Sequence, residues 1–194
     1  FEVLDGVERD LYPSHLRTFD ELRHYCYQVA GSVGLVMAHI LGAGGDTALD
    51  RACTLGIAMQ LTNVLRDIGE DLERGMIYLP AEELGRFGYS AERLGERRAD
   101  ADFVALMRMQ IARARDYYRC GLEGIGLLPR GTRFPILLAA RMYGGIMRKI
   151  ERSGYDVFRT RAYTGLPEKL WLAGQSYREV KWPARAGSPG YRGS

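Results

Sequence analysis

From Asp46 to Arg74 the chain runs without a proline, and apolar residues return every three or four positions, ending in Leu61, Val64, Leu65, Ile68 and Leu72. That period belongs to an α-helix buried along one side. No stretch shows the alternation of a half-buried strand, and there is no internal repeat. The helical period returns at Phe103, Leu106, Met107, Ile111, Ala114 and Tyr118, and again over 133–154 and 166–180. The boundary residues agree. Thr18 and Glu21 form a capping box for a helix predicted to run to Leu41, where "GAGG" (42–45) ends it. Asp46 is placed to cap the next helix, and Gly75 breaks it ahead of Pro80. Residues 81–88 read as a short helix, Ser90 as the cap of another, and the glycines before Pro129 as a loop. Gly154 reads as a stop, and Pro167 opens a last helix. The expectation is all-α: antiparallel helices around one core over residues 1–180, with 181–194 a disordered tail.

A chain of 194 residues with 46% hydrophobic and 26% charged residues can bury a core of its own. A net charge of +3 is too small to argue for a nucleic-acid partner. Cys26, Cys53 and Cys120 form no CxxC, and His15, His24 and His39 form no ligand cluster, so a cytoplasmic protein with free thiols is expected. "VGLVMAHILG" (33–42) is far shorter than the roughly 20 residues of a membrane span, and no signal peptide is visible.

The helix over 46–74 carries a second pattern. At about 100° per residue, Gln60, Asn63, Asp67, Asp71 and Arg74 fall within about 60° of one direction, opposite the apolar residues. A solvated face is one explanation. It normally uses Lys and Glu, whereas Asn and Asp are poorer helix formers. Four short polar groups in register point to ligands. Carboxylates four residues apart can hold a hard cation such as Mg²⁺, with phosphate oxygens and water completing its shell. Asn63 and Gln60 can donate to such oxygens, and Arg66 and Arg74 can offset phosphate charge. The spacing alone is weak. Asp46 and Asp50 share it, but they open a helix, where Asp serves as a cap. Arg113, Arg115 and Arg119 read as a solvated face, and "GLEGIG" (121–126) follows no strand, which argues against a dinucleotide loop.

Three segments, "YCYQVAGSVGLV" (25–36), "QLTNVLRDIGEDLERGMIYLP" (60–80) and "GYDVF" (154–158), resemble the squalene/phytoene synthases, with the spacing between motifs intact from about residue 3 to about 172. The resemblance implies the class I isoprenoid synthase fold and Mg²⁺-dependent head-to-head joining of two allylic diphosphates, with Mn²⁺ as a substitute metal. It places Asp67 and Asp71 in the second aspartate-rich motif, with Gln60, Asn63 and Arg66 as supporting positions and Asn63 beside the metal. Tyr25 and Tyr143 match aromatic positions near the diphosphates, and Val29, Ala30, Val33 and Gly34 match positions lining a prenyl channel. Arg159 and Arg161 flank the place of a diphosphate-binding arginine, and the choice between them is open.

The family's first aspartate-rich motif has no counterpart here. "DGVERD" (5–10) lies where the family has a later helix, so Asp5, Glu8 and Asp10 are set aside. With Phe at residue 1, the chain is expected to lack roughly the N-terminal third and to be inactive alone.

This chemistry suits the residues. Ionising an allylic diphosphate needs charge on the leaving group, from metal and arginine, and an apolar channel that keeps water from the cation. Tyrosine faces can stabilise that cation. The mid-helix Gly31 and Gly34 have two explanations, close helix packing and room for a prenyl chain. The expected reaction is phytoene formation from geranylgeranyl diphosphate, with peripheral membrane contact because the product is a C40 hydrocarbon. The farnesyl reaction to squalene, a non-catalytic assembly role and a head-to-tail synthase or cyclase stay open as alternatives, as does any step using NADPH.

Overall fold

The computed structural model describes residues 2–12, 15–159 and 161–181, and among them the regular elements are all helical, beside an isolated bridge between His15 and Ile77. The elements are α1 (Glu2–Arg9), α2 (Phe19–Cys26), a π-helical turn (Tyr27–Gly31), α3 (Ser32–Ile40), α4 (Asp46–Glu73), α5 (Ala81–Arg86), α6 (Ala91–Gly95), α7 (Ala101–Leu122), a 3₁₀ turn (Glu123–Leu127), α8 (Arg130–Arg152) and α9 (Leu166–Lys181). The all-α expectation holds. The expected tail beyond Lys181, and Thr160, lie outside the described residues.

The capping residues act as their chemistry dictates. Thr18 Oγ1 accepts from the Glu21 amide, and Glu21 reaches back to the Arg17 amide. Ser90 and Asp100 cap α6 and α7 in the same way. Asp46 departs from expectation: it is the first residue of α4, and Gly45, at φ 85°, occupies the cap. The single helix expected over 18–41 is interrupted by the π turn. At that turn α1 packs so closely that a Cβ on Gly6 would stand 2.6 Å from Val29 Cγ1.

α4 is the central post, with α3, α7 and α8 packed around it. Glycines permit the closest approaches. A Cβ on Gly34 would lie 2.5 Å from the Ala52 carbonyl oxygen, and one on Gly56 would lie 2.4 Å from that of Ala30. Backbone contact between α3 and α4 therefore requires glycine here. On the α7 side, Phe103, Leu106, Met107, Ile111, Ala114 and Tyr118 are all buried, as their spacing predicts. Each large one contributes about 1.5–3 kcal/mol through burial. The buried Tyr118 hydroxyl shares a 3.0 Å hydrogen bond with Thr62 of α4.

Of the α7 arginines, Arg119 keeps to the expected solvated face beside Asp116, whereas Arg113 and Arg115 do not. Arg113 pairs with the buried Glu83, which also accepts from Gln110 at 2.6 Å, and its guanidinium covers the Phe19 ring at 3.8 Å. Arg115 pairs with Glu151 at 2.6 Å. A carboxylate buried under α5 needs such a partner, because removing one member of a buried pair costs about 3–5 kcal/mol.

Candidate active site

The predicted polar line opens onto a pocket of about 260 Å³ rather than onto bulk solvent. Gln60, Asn63, Asp67 and Asp71 of α4 line it, with Arg74 just beyond the helix end. Tyr25 comes from α2, Tyr78 from the segment after α4, and Asp10 from the end of α1.

Asp67 is gripped twice. Arg66 donates to its two oxygens at 2.7 and 2.5 Å, and Arg161 donates to the same pair at 2.8 and 3.1 Å. Burial pushes the Asp67 carboxyl upward, but these two guanidiniums outweigh it and hold it below the usual carboxylate range. One turn on, Asp71 has no such pairing among the described residues. Burial, with the Asp67 charge next in size, pushes its carboxyl up to about 6 against the pull of Arg74. Asn63 donates to Gln60 Oε1 at 3.0 Å, while its own Oδ1 is buried with no partner.

Those observations test the pocket for a hard cation. An under-neutralised carboxylate, a second carboxylate one turn away and an orphaned amide oxygen form an all-oxygen donor set, and Mg²⁺ or Mn²⁺ fits it. Among the described residues no group of three or more His, Cys, Asp or Glu is arranged for a metal. A cation here would thus draw further oxygens from phosphate or water.

Asp10, set aside as a stand-in for the first aspartate-rich motif, nevertheless lines the pocket, where it accepts from Tyr25 Oη at 3.2 Å and from Tyr78 Oη at 2.7 Å. The two rings stack at 4.9 Å. Burial first, with Asp10 among the further causes, pushes both phenols up, so they stay protonated donors. Tyr78 lies inside the quoted motif, but only its fold-level meeting with Tyr25 marks it out.

Of the two arginines, Arg161 is the one that reaches a pocket acid, Asp67, and it also approaches Glu70 at 3.5 Å. Arg159 pairs with Asp156 at 3.6 Å and its side chain is 85% exposed. The Asp46–Asp50 pair stays outside the site, with Asp50 exposed and 3.4 Å from Arg51.

Below the polar pocket lies an apolar channel of about 320 Å³. Val29, Ala30, Val33 and Gly34 line one side and Tyr143 of α8 the other. Gln60 and Asn63 line both spaces, so the channel begins where the polar pocket ends. Gly34 satisfies both explanations for a mid-helix glycine, touching the α4 backbone and lining the channel. Among the described residues no helix is long and apolar enough to cross a membrane.

Comparison with known proteins gives a consistent result. The squalene/phytoene synthase family matches residues 2–168. The chain is 43% identical over 192 residues to a 15-cis-phytoene synthase of Synechocystis sp., covering 90% of this chain and 57% of that protein. It is 46% identical over 186 residues to a phytoene synthase of Thermus thermophilus, covering 95% and 64%. The chain thus spans less than two thirds of the length of these relatives. Among solved structures, a dehydrosqualene synthase superimposes with a TM-score of 0.87 at 32% identity, over 93% of this chain and 64% of that one. A squalene synthase from Alicyclobacillus acidocaldarius gives 0.76 at 26%, over 80% and 59%.

Proposed function

The chain belongs to the squalene/phytoene synthase family, and from that premise we propose that the protein it represents joins two geranylgeranyl diphosphates head to head to give phytoene. One observation carries the reading. α4 places two carboxylates, an orphaned amide oxygen and two arginines at the mouth of an apolar channel. That arrangement suits a molecule with a diphosphate head and a long hydrocarbon tail. The relatives' names as phytoene synthases favour the C20 substrate over farnesyl diphosphate. The complete polar line counts against an assembly role, which has no use for it.

In this reading Asp67, Asp71 and Asn63 hold the divalent cation, which when bound supplies positive charge against the departing diphosphate. Arg66, Arg74 and Arg161 add fixed positive charge on the same side, and Gln60 orients phosphate oxygens or water. Tyr25 presents its hydroxyl and ring at the diphosphate end. Tyr143 offers a π face to the allylic cation, where a desolvated contact is worth about 2 kcal/mol. Val29, Ala30, Val33 and Gly34 keep water from that cation. The expected setting is cytoplasmic, in peripheral contact with a membrane that receives the product.

The test is product analysis. Full-length protein with Mg²⁺ and geranylgeranyl diphosphate is expected to release pyrophosphate and accumulate phytoene, and Asp67→Ala or Asp71→Ala to abolish both while keeping the helical fold. Near-normal turnover in both variants would show the carboxylate assignment to be wrong.

A further inference from the structure

We propose that Ala48, at the far end of the channel, is the ruler that sets the prenyl chain length this site accepts. The inference rests on the reading above and concerns the opposite end of the channel from the diphosphate pocket.

The channel follows α4. Its walls take Asn63, Met59, Leu55, Ala52 and Ala48 from that one helix, so its length can be read from the helix rise. From Asn63, at the junction with the polar pocket, Ala52 lies about 16 Å down the axis and Ala48 about 22 Å. An extended prenyl chain with single bonds of about 1.5 Å advances roughly 5 Å for each five-carbon unit, so three units need about 15 Å and four need about 20 Å. A C15 chain ends beside Ala52, and a C20 chain reaches Ala48.

At that second level other elements join the wall. Ala38 and Leu41 approach from the end of α3 and Leu128 from the segment before α8, and Ala48 is 4% exposed among them. Just outside, the α3–α4 loop meets the α8 entry, where a Cβ on Gly42 would stand 3.7 Å from Pro129 Cγ. The wall at the fourth unit is therefore built from a methyl group on a rigid helix. A larger side chain at residue 48 would take the volume of the last unit, leaving the first three untouched.

The experiment compares wild type, Ala48→Ser, Ala48→Leu and Ala48→Phe in the full-length protein. Turnover is measured on geranylgeranyl and farnesyl diphosphates separately and in competition, alongside the affinity of each enzyme for the unreactive thiolodiphosphate analogues of both. Ala48→Ser, the smallest change in volume, is expected to lose the least C20 turnover and affinity. Ala48→Leu and then Ala48→Phe are expected to lose C20 turnover and C20 analogue affinity progressively, by about 30-fold or more for Phe, with the C15 values held within about threefold. The C40 product then gives way to C30. Should Ala48→Phe fail to fold, the Leu variant carries the same graded readout. Unchanged C20 preference in folded variants of an active enzyme overturns the ruler alone. A wild-type enzyme that neither binds nor converts either substrate overturns the proposed function and the ruler with it.

Discussion

Arg161 reaches from the segment before α9 to seize Asp67 on α4, its Nε and Nη2 donating to the two carboxylate oxygens at 2.8 and 3.1 Å. The contact joins a residue of the central helix to one far along the chain, and under the proposed function it presents a guanidinium where diphosphate charge would arrive. Asp67 already has Arg66, so Arg161 is a second cation on one acid. Such an excess makes sense if the arginine transfers part of its bonding to phosphate.

Arg161→Gln should therefore cost little stability and much anion affinity. Its side chain is 50% exposed, so loss of the pair is worth about 0.5–1 kcal/mol in a thermal melt. Pyrophosphate binding in the presence of Mn²⁺ should weaken about tenfold or more. Unaltered pyrophosphate affinity would remove Arg161 from the binding set.

Asp71 should destabilise the metal-free protein at neutral pH. Burial first, then the Asp67 charge, pushes its carboxyl up to about 6 in the folded chain, above the ordinary value. The folded state thus binds this proton more tightly than the unfolded state, and stability falls as pH rises from about 4 through 6. Asp71→Asn removes that penalty. Allowing for the partial exposure of the group, the metal-free variant should gain about 1–2 kcal/mol at pH 8, and the gain should vanish near pH 4. Paired chemical melts at the two pH values measure it. A variant less stable than wild type at pH 8 would contradict the electrostatic assignment.

Gly69 links the helix to the segment that carries Arg161. A Cβ there would stand 2.7 Å from the Val157 carbonyl oxygen and 3.1 Å from Phe158 Cα. Gly69→Ala should cost about 1–3 kcal/mol, since backbone must move to admit the methyl group. It should also reduce pyrophosphate affinity, although Gly69 lines neither the pocket nor the channel. Stability loss with fully retained affinity would mean that Arg161 does not depend on the contact of Gly69 with Val157 and Phe158.

Much of this was readable in advance because it is periodic. Asn63, Asp67 and Asp71 share a face of α4 by helical geometry, and the buried face of α7 follows from its own spacing. What escaped is what a period does not encode. The π turn at Tyr27–Gly31 has no apolar signature of its own. Arg159 and Arg161 lie two apart in a segment without regular structure, so only coordinates separate them. Asp10 meets Tyr25 and Tyr78 through tertiary packing of α1, and a lone acid near a chain end gives no local sign of that. Arg113 looked solvated because its partner, Glu83, sits on a different helix.

Asp10 carries the next prediction. It orients two phenols from an exposed position, so Asp10→Ala should leave the melting temperature nearly unchanged. With Tyr25 and Tyr78 freed, kcat should drop about 10- to 100-fold with a smaller change in KM, while Asp10→Glu recovers part of the loss. A purely structural role would lower stability and leave the kcat of the remaining folded enzyme intact.

The decisive result is the position of a metal and a prenyl chain together. Crystals of full-length protein grown with Mn²⁺ and geranylgeranyl thiolodiphosphate should show anomalous density about 2.2 Å from carboxylate oxygens of Asp67 and Asp71, with the hydrocarbon running past Ala30 and Gly34 toward Ala48. Manganese bound away from both acids, or a prenyl chain lying outside the channel, would contradict the site described here.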